Sequence, residues 1–354
     1  MPLPMERWPA ILRGSERVLI VRLGAVGDVL RVLPAARRLR AAFPALHLAW
    51  VVEPFSAPLL EGHPDLDEVI IFPRRELRPD PAHPIRFGRA CRAFTTRLRA
   101  GRWEAAIDFQ GSLKSALVAL RSGAPRRVGF RPGETREFSF LFTNEWVTLT
   151  APRLNRVDRN LELVAALGAA QGPDDASIPE SAAEASEAAA IQAAVAPAGR
   201  CIVVSPGVSR RQSYKAWPAS HYAAFARLVA ARSGVRPVVV WGPGEEPLAR
   251  AVVEAARGAA VLAPPTTLRT LLALLRRADL FVGADTGPMH LAWVAGCRVV
   301  ALFGPTDPRL NAPRGPGHRV LRAPQDAIEN LDPETVAAAA AETLRAPQRV
   351  GGAA

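Results

Sequence analysis

Short apolar runs ending in Gly, Pro or Asp recur along the chain, each followed by a stretch with apolar residues at helical spacing. Strands buried on both faces read as continuous Val, Ile and Leu runs, so this alternation is the signature of a parallel sheet crossed over by helices. The class is α/β. In the first half the runs predict strands over residues 17–23, 47–53, 69–72, 105–109 and 127–130. The helix after the first strand keeps Val29, Leu33, Ala36, Leu39 and Phe43 near one face, and Pro34 is expected to bend it by removing a helix hydrogen bond. Between residues 171 and 199 the composition shifts to Ala, Glu, Asp, Ser and Pro, which reads as an exposed helix or connector. The alternation then restarts, with strands over 201–205, 237–241, 259–262, 280–284 and 299–303, and Asp332, Pro333 and Glu334 open a last helix reaching about Leu344.

A chain of 354 residues is long enough for two cores. The expected organisation is one domain over 1–170, a connector over 171–199, a second domain over 200–330, and a C-terminal helix and tail over 331–354. Open parallel sheets bind ligands beyond the C-terminal ends of their strands. Two such sheets facing a central cleft would set a donor against an acceptor.

A formal charge of +12 calls for an anionic partner. The excess is arginine spread along the chain with no basic block, and aromatic residues make up only 6%, which argues against nucleic acid. Cys91, Cys201 and Cys297 have no paired spacing and no nearby His cluster, so neither a disulfide framework nor a zinc site is legible. Residues 1–16 do not read as a secretion signal. The most apolar early segment is interrupted by Arg22, Asp28 and Arg31, too polar to span a bilayer. The expected location is the cytoplasm.

Four strand ends carry residues with chemistry. In Leu23-Gly-Ala-Val-Gly27-Asp28, glycines let a ligand approach the backbone, and Asp28 is either a helix cap or a general base at the rim of a site. In Asp285-Thr286-Gly287-Pro-Met-His290 a strand meets a helix N-terminus. The amides of Thr286 and Gly287 could hold a diphosphate; the ordinary alternative has Asp285 capping and His290 packed inside. Ser205-Pro-Gly followed by Arg210, Arg211 and Lys215 could grip a phosphate, or carry solvated cations. Glu245 or its neighbour Glu246, just past a strand, could accept bonds from ribose hydroxyls, or belong to a charged loop. Asp65-Leu-Asp67 imitates a metal-binding D-x-D, but its place between Gly62-His-Pro and a strand reads as a turn, and no catalytic metal is expected. Phosphate-loop and dinucleotide fingerprints are both missing from the sequence.

Taken in order, Leu-Gly-Ala-Val-Gly-Asp28, Asp108-Phe-Gln-Gly-Ser-Leu-Lys114-Ser, Lys215-Ala-Trp-Pro, Asp285-Thr-Gly-Pro-Met-His290 and Phe303-Gly-Pro-Thr-Asp307-Pro resemble the ADP-heptose:lipopolysaccharide heptosyltransferase family, glycosyltransferase family 9. The resemblance runs from about Arg17 to Arg319. It implies a GT-B fold of two Rossmann-like domains, an inverting and metal-independent glycosyltransferase, and no cofactor besides the nucleotide-sugar substrate. By matching position, Asp28 is the catalytic base. Ser205, Lys215, Glu245, Asp285, Thr286, Gly287 and His290 bind the donor, and Gly27, Lys114 and Arg136 face an anionic lipopolysaccharide precursor. Peripheral contact with the inner membrane surface would follow, without nucleic acid. The rival readings are a related transferase with another nucleotide sugar or a protein or surface-polymer acceptor, and a non-catalytic basic protein that binds nucleic acid or anionic lipid.

Overall fold

Residue 12 and residues 16–78, 82–197 and 199–345 are described in the computed structural model. Most of the 1–16 segment and the tail beyond residue 345 lie outside the described residues. The chain divides into two compact units between Pro179 and Glu180.

The first unit runs β1 (Arg17–Val21), α1 (Val26–Leu30), α2 (Leu33–Ala42), β2 (His47–Val52), β3 (Glu68–Ile71), α3 (Pro84–Ala100), β4 (Ala105–Asp108), α4 (Leu113–Arg121), β5 (Arg126–Phe130), β6 (Glu145–Val147) and α5 (Arg156–Ala166). Its sheet has the order β3-β2-β1-β4-β5-β6, parallel throughout, with Val18 beside Leu48 on one flank and beside Ala105 on the other. Val18 to Val21 are fully buried, as central strands with helices on both faces require. The order reverses between β1 and β4, and the segments leaving these strands in opposite directions open a crevice at their C-terminal ends.

The second unit repeats the plan with α6 (Ala182–Val195), β7 (Ile202–Ser205), α7 (Ala219–Ser233), β8 (Val238–Val239), α8 (Glu246–Ala255), β9 (Val261–Leu262), α9 (Leu268–Arg277), β10 (Leu280–Ala284), α10 (Gly287–Val294), β11 (Val299–Phe303), α11 (Pro308–Asn311), β12 (Arg319–Arg322) and α12 (Pro333–Arg345). Its sheet order, β12-β11-β10-β7-β8-β9, is the same succession, and the reversal falls between β7 and β10. Trp217, Tyr222 and Phe225 pack edge to face in its core beneath Val204 and Val282. The helix of the 171–199 stretch, α6, belongs here. Ser181 and Glu184 cap α6 reciprocally, and Arg269 of α9 donates to Glu184 over 2.7 Å.

Two expectations change. Pro34 does not bend one helix; it sits in the first turn of α2, where its missing N–H costs nothing, and the chain breaks at Arg31 and Val32 instead. Strands β6 and β12 went unread because Glu145-Trp-Val and Arg319-Val-Leu-Arg are edge strands, short and half exposed, without an apolar run.

One buried acid fixes the turn after β4. Asp108 accepts from the amides of Gln110 (2.9 Å) and Gly111 (3.1 Å) and from the Ser115 hydroxyl (3.0 Å). Burial pushes its carboxyl up to about 6 from an ordinary 3.8, against the pull of those three bonds and of Arg22. The folded state thus holds this proton more tightly than the unfolded chain does. Its contribution is full below about pH 4 and is lost as pH rises through about 6, on the order of 2–3 kcal/mol. Asp108→Asn keeps an oxygen for both amides and removes the charge. Urea melts should therefore show the stability difference between pH 4 and pH 7 shrinking by about 2 kcal/mol relative to the unmodified chain, and an unchanged difference would contradict this account.

Candidate active site

At the end of β1 the chain turns through Arg22 to Ala25 into the five-residue helix α1, which presents Asp28. Ala25 is the cap position and Asp28 makes no cap bond, so the capping alternative is set aside. Asp28 is gripped from two sides instead. Arg22 Nη2 lies 2.5 Å from Oδ2 and Arg31 Nη2 lies 2.5 Å from Oδ1. Arg22 is fixed by donating to the Phe109 carbonyl (3.1 Å), and Arg31 by donating Nε to the Gly27 carbonyl (3.1 Å). Gln110 completes the clamp across the crevice, its Oε1 accepting from the Leu23 amide (3.1 Å). Burial alone would raise the Asp28 carboxyl, but the charges of Arg22, Arg31 and Arg156 outweigh it and hold the group well below the usual carboxylate range. It is ionised at any working pH.

The other first-unit candidates divide. Gly27 lends its carbonyl to Arg31. Arg136 is exposed, and its charge weighs on Arg156 and Arg159, which line the same recess as Asp28. Lys114 pairs with Glu53 (2.7 Å), whose amide donates to the Leu23 carbonyl (2.7 Å), so it joins the turn through an acid rather than directly. Asp67 serves the fold, accepting from Arg40 and the Leu48 amide, in keeping with a turn rather than a metal ligand.

In the second unit Lys215 is not a solvated cation. It is 8% exposed, and its Nζ donates to Asp285 Oδ2 (3.0 Å) and to the Asp285 carbonyl (3.1 Å). Asn311 Nδ2 donates to the same Oδ2 (3.0 Å), and His290 Nε2 lies 3.4 Å from Oδ1. Burial by itself raises the Asp285 carboxyl; the bond and charge of His290 and then of Lys215 exceed it and keep the group ionised. Trp217, two residues on, is buried and donates to the Leu331 carbonyl, which anchors the segment that carries Lys215. An ammonium has three donors, so one remains on Lys215 beyond its two bonds to Asp285.

Thr286 caps α10 without a side-chain bond, and its amide is engaged by the Ala284 carbonyl (2.7 Å), so the expected amide pair reduces to Gly287 and the turn behind it. Ser205, at the end of β7, is buried, and its hydroxyl finds no partner among the described residues. Glu245 lies against the same turn: a Cβ on Gly207 would fall 2.0 Å from its Oε2, which accepts from the Gly242 amide (2.9 Å). Glu246 points into an ion pair with Arg250 (2.6 Å). Between the two, Glu245 is the one at the strand ends. Arg210 and Arg211 stay exposed.

The residues missed from sequence are Arg22, Arg31, Gln110, Arg156, Arg159 and Asn311. Arginines are too common in this chain to single out, and Asn311 is reached only because Asp307 caps α11 and aims its last turn at Asp285. Among the described residues no group of three or more His, Cys, Asp and Glu could hold a metal ion, and no helix is long and apolar enough to cross a membrane.

This doubled pattern has known counterparts. The profile of Glycosyltransferase family 9 (heptosyltransferase) matches residues 91–339. Lipopolysaccharide heptosyltransferase 1 of Escherichia coli strain K12 is 31% identical over 326 residues, covering 90% of this chain and 98% of that protein. Lipopolysaccharide heptosyltransferase 2 of the same strain is 26% identical over 86% and 88%. Among solved structures, E. coli heptosyltransferase WaaC with ADP superposes with a TM-score of 0.77 at 29% identity, over 92% of this chain and 99% of that one. A family 9 glycosyl transferase from Veillonella parvula DSM 2008 reaches 0.79 at 21% identity, over 93% and 97%, a likeness of fold. With five ordered motifs carried on two such sheets, this chain belongs to glycosyltransferase family 9, the heptosyltransferases.

Proposed function

We propose that this enzyme transfers a heptose from ADP-heptose to the 3-deoxy-octulosonate or heptose residue of a lipid A-linked inner core, with inversion at the anomeric carbon. The observation that carries the reading is Asp28, an ionised carboxylate held by two guanidiniums at the β1/β4 reversal. The chain's relatives are lipopolysaccharide heptosyltransferases, and WaaC has been solved with ADP and with ADP-2-deoxy-2-fluoro heptose.

In this scheme the acceptor oxygen forms a bond to the anomeric carbon as the bond to the ADP oxygen breaks, and Asp28 takes the acceptor proton. A carboxylate so well paired is a weak base. It therefore takes the proton late, once attack has made the hydroxyl acidic. The remaining Lys215 donor, the Ser205 hydroxyl and the start of α10 at Thr286 and Gly287 hold the diphosphate and stabilise the charge growing on it. Asp285, with His290 and Asn311, keeps Lys215 in place, and Glu245 accepts from the ribose. Gly27, Lys114 and Arg136 meet the acceptor. No step is assigned to a metal or other cofactor. The +12 charge suits an anionic acceptor and peripheral contact with the cytoplasmic face of the inner membrane, and leaves nucleic acid without a role.

Incubating the purified chain with ADP-heptose and a deacylated core acceptor should yield a product one heptose heavier, with inverted anomeric configuration by NMR, and turnover should survive EDTA. Lys215→Met should raise the donor KM ten- to hundredfold, the usual worth of a bond to a charged group. Retention of configuration, dependence on an added divalent ion, or an unchanged donor KM would each contradict the corresponding part of the scheme.

A further inference from the structure

The connections that leave the C-terminal ends of β2, β3, β4 and β5 each expose a large apolar side chain. Phe55 follows β2, Ile85 stands in the first turn of α3 after β3, Leu113 opens α4 after β4, and Phe138 and Leu141 follow β5. Ile85, Phe138 and Leu141 are 72%, 71% and 68% exposed. The other large apolar side chains exposed among the described residues are Leu120 and, spread over the second unit, Tyr214, Leu248 and Val320. Apolar residues scattered singly on a surface need no explanation, but a concentration at one edge of a sheet does.

Side chains and backbone tie these connections into one rim. Glu53, two residues before Phe55, pairs with Arg74 after β3 (2.7 Å) and with Lys114 of α4 (2.7 Å). The Leu113 amide donates to Glu137 Oε2 (3.1 Å), and the Arg136 amide donates to the Gly111 carbonyl (2.8 Å), which fastens the segment carrying Phe138 to the start of α4. Phe138 has φ +55°, a left-handed conformation that Gly or Asn adopts at lower cost, so folding does not account for an aromatic residue there. Exposed cations stand next to the apolar side chains, Arg86 beside Ile85, Lys114 beside Leu113 and Arg136 two residues before Phe138. The centre of a protein interface is depleted in charge, whereas apolar groups interleaved with long basic side chains suit the boundary between hydrocarbon and anionic headgroups.

We propose that this rim is the docking surface of the chain for an anionic bilayer, with Ile85, Phe138 and Leu141 dipping into the headgroup layer while the cations beside them meet lipid phosphates. The inference rests on the reading of the acceptor as lipid-linked. The rim flanks the β1/β4 reversal where Asp28 stands, so a sugar projecting from the membrane reaches the base while its lipid stays in the bilayer.

Flotation of the full chain with vesicles tests this, using phosphatidylcholine alone and phosphatidylcholine mixed with phosphatidylglycerol. The chain should bind the anionic vesicles at least about tenfold more tightly than the neutral ones. An Ile85→Ser, Phe138→Asn, Leu141→Ser variant should bind the anionic vesicles at least about tenfold more weakly than the unmodified chain, and Ile85→Ser alone about threefold more weakly, which keeps the test open if the triple variant folds poorly. With a deacylated acceptor in solution the triple variant should keep kcat/KM within about twofold, and with the lipid-linked acceptor in vesicles it should lose at least about tenfold. The inference is overturned if the unmodified chain ignores both vesicles, if chain and variants bind equally, or if the variant loses equally on both acceptors, since the rim would then hold the sugar. A dimer of the unmodified chain that the triple variant dissolves in sedimentation would also overturn it, because the rim would then be a contact between copies. Vesicle binding without transfer to either acceptor would support the docking surface and overturn the proposed transferase, and transfer without vesicle binding would do the reverse.

Discussion

A strand covered on both faces has one place to present polar groups, its end, and that constraint shapes both units. The central strands β1, β4, β7 and β10 are apolar in their interiors, and the residues with chemistry begin at the residue where each strand stops or just past it. Arg22 and Asp28 follow β1, Asp108 and Gln110 close β4, Ser205 ends β7 and Asp285 follows β10. Since each sheet reverses its order between those very strands, the polar ends are gathered in pairs at the reversal. The two sites owe their position to this repeated topology.

What differs between the units is how the acid at the reversal is held. Around Asp285 one carboxylate accepts from Lys215 and Asn311, and His290 Nε2 lies 3.4 Å from its other oxygen. Such a buried pair is costly to break from either side, which makes it a rigid mount for the ammonium. Around Asp28 the guanidiniums of Arg22 and Arg31 grip the acid, and Arg156 and Arg159 line the same recess.

The fold class and the two-sheet plan were legible because buried parallel strands leave an unmistakable apolar run; the edge strands β6 and β12 leave none. Asp28, Asp285 and His290 were legible because each follows a strand end that an apolar run announces, whereas Lys215 stands farther along, past β7, and was legible only through motif order. The partners of these residues were not legible. Arg156 and Arg159 come from α5, more than a hundred residues after Asp28, and only the packing of α5 on α2 brings them there. Pairing also separated the two readings that spacing left open for Asp28: with Ala25 at the cap position, Asp28 is no cap and is held by Arg22 and Arg31.

Asp28 is also where the account is most exposed to measurement. Replacing it with Asn keeps the size, removes the base, and leaves Arg22 and Arg31 facing each other without their shared acid, so the melting temperature should drop by several degrees. Turnover is therefore compared at a temperature where circular dichroism shows both proteins folded, with ADP affinity measured on the same samples. The account predicts that kcat falls by about 10²–10⁴ while the dissociation constant for ADP is unchanged, because the groups assigned to the nucleotide all lie in the second unit. A folded Asp28→Asn protein with near-normal kcat, or one that has lost ADP, would contradict it.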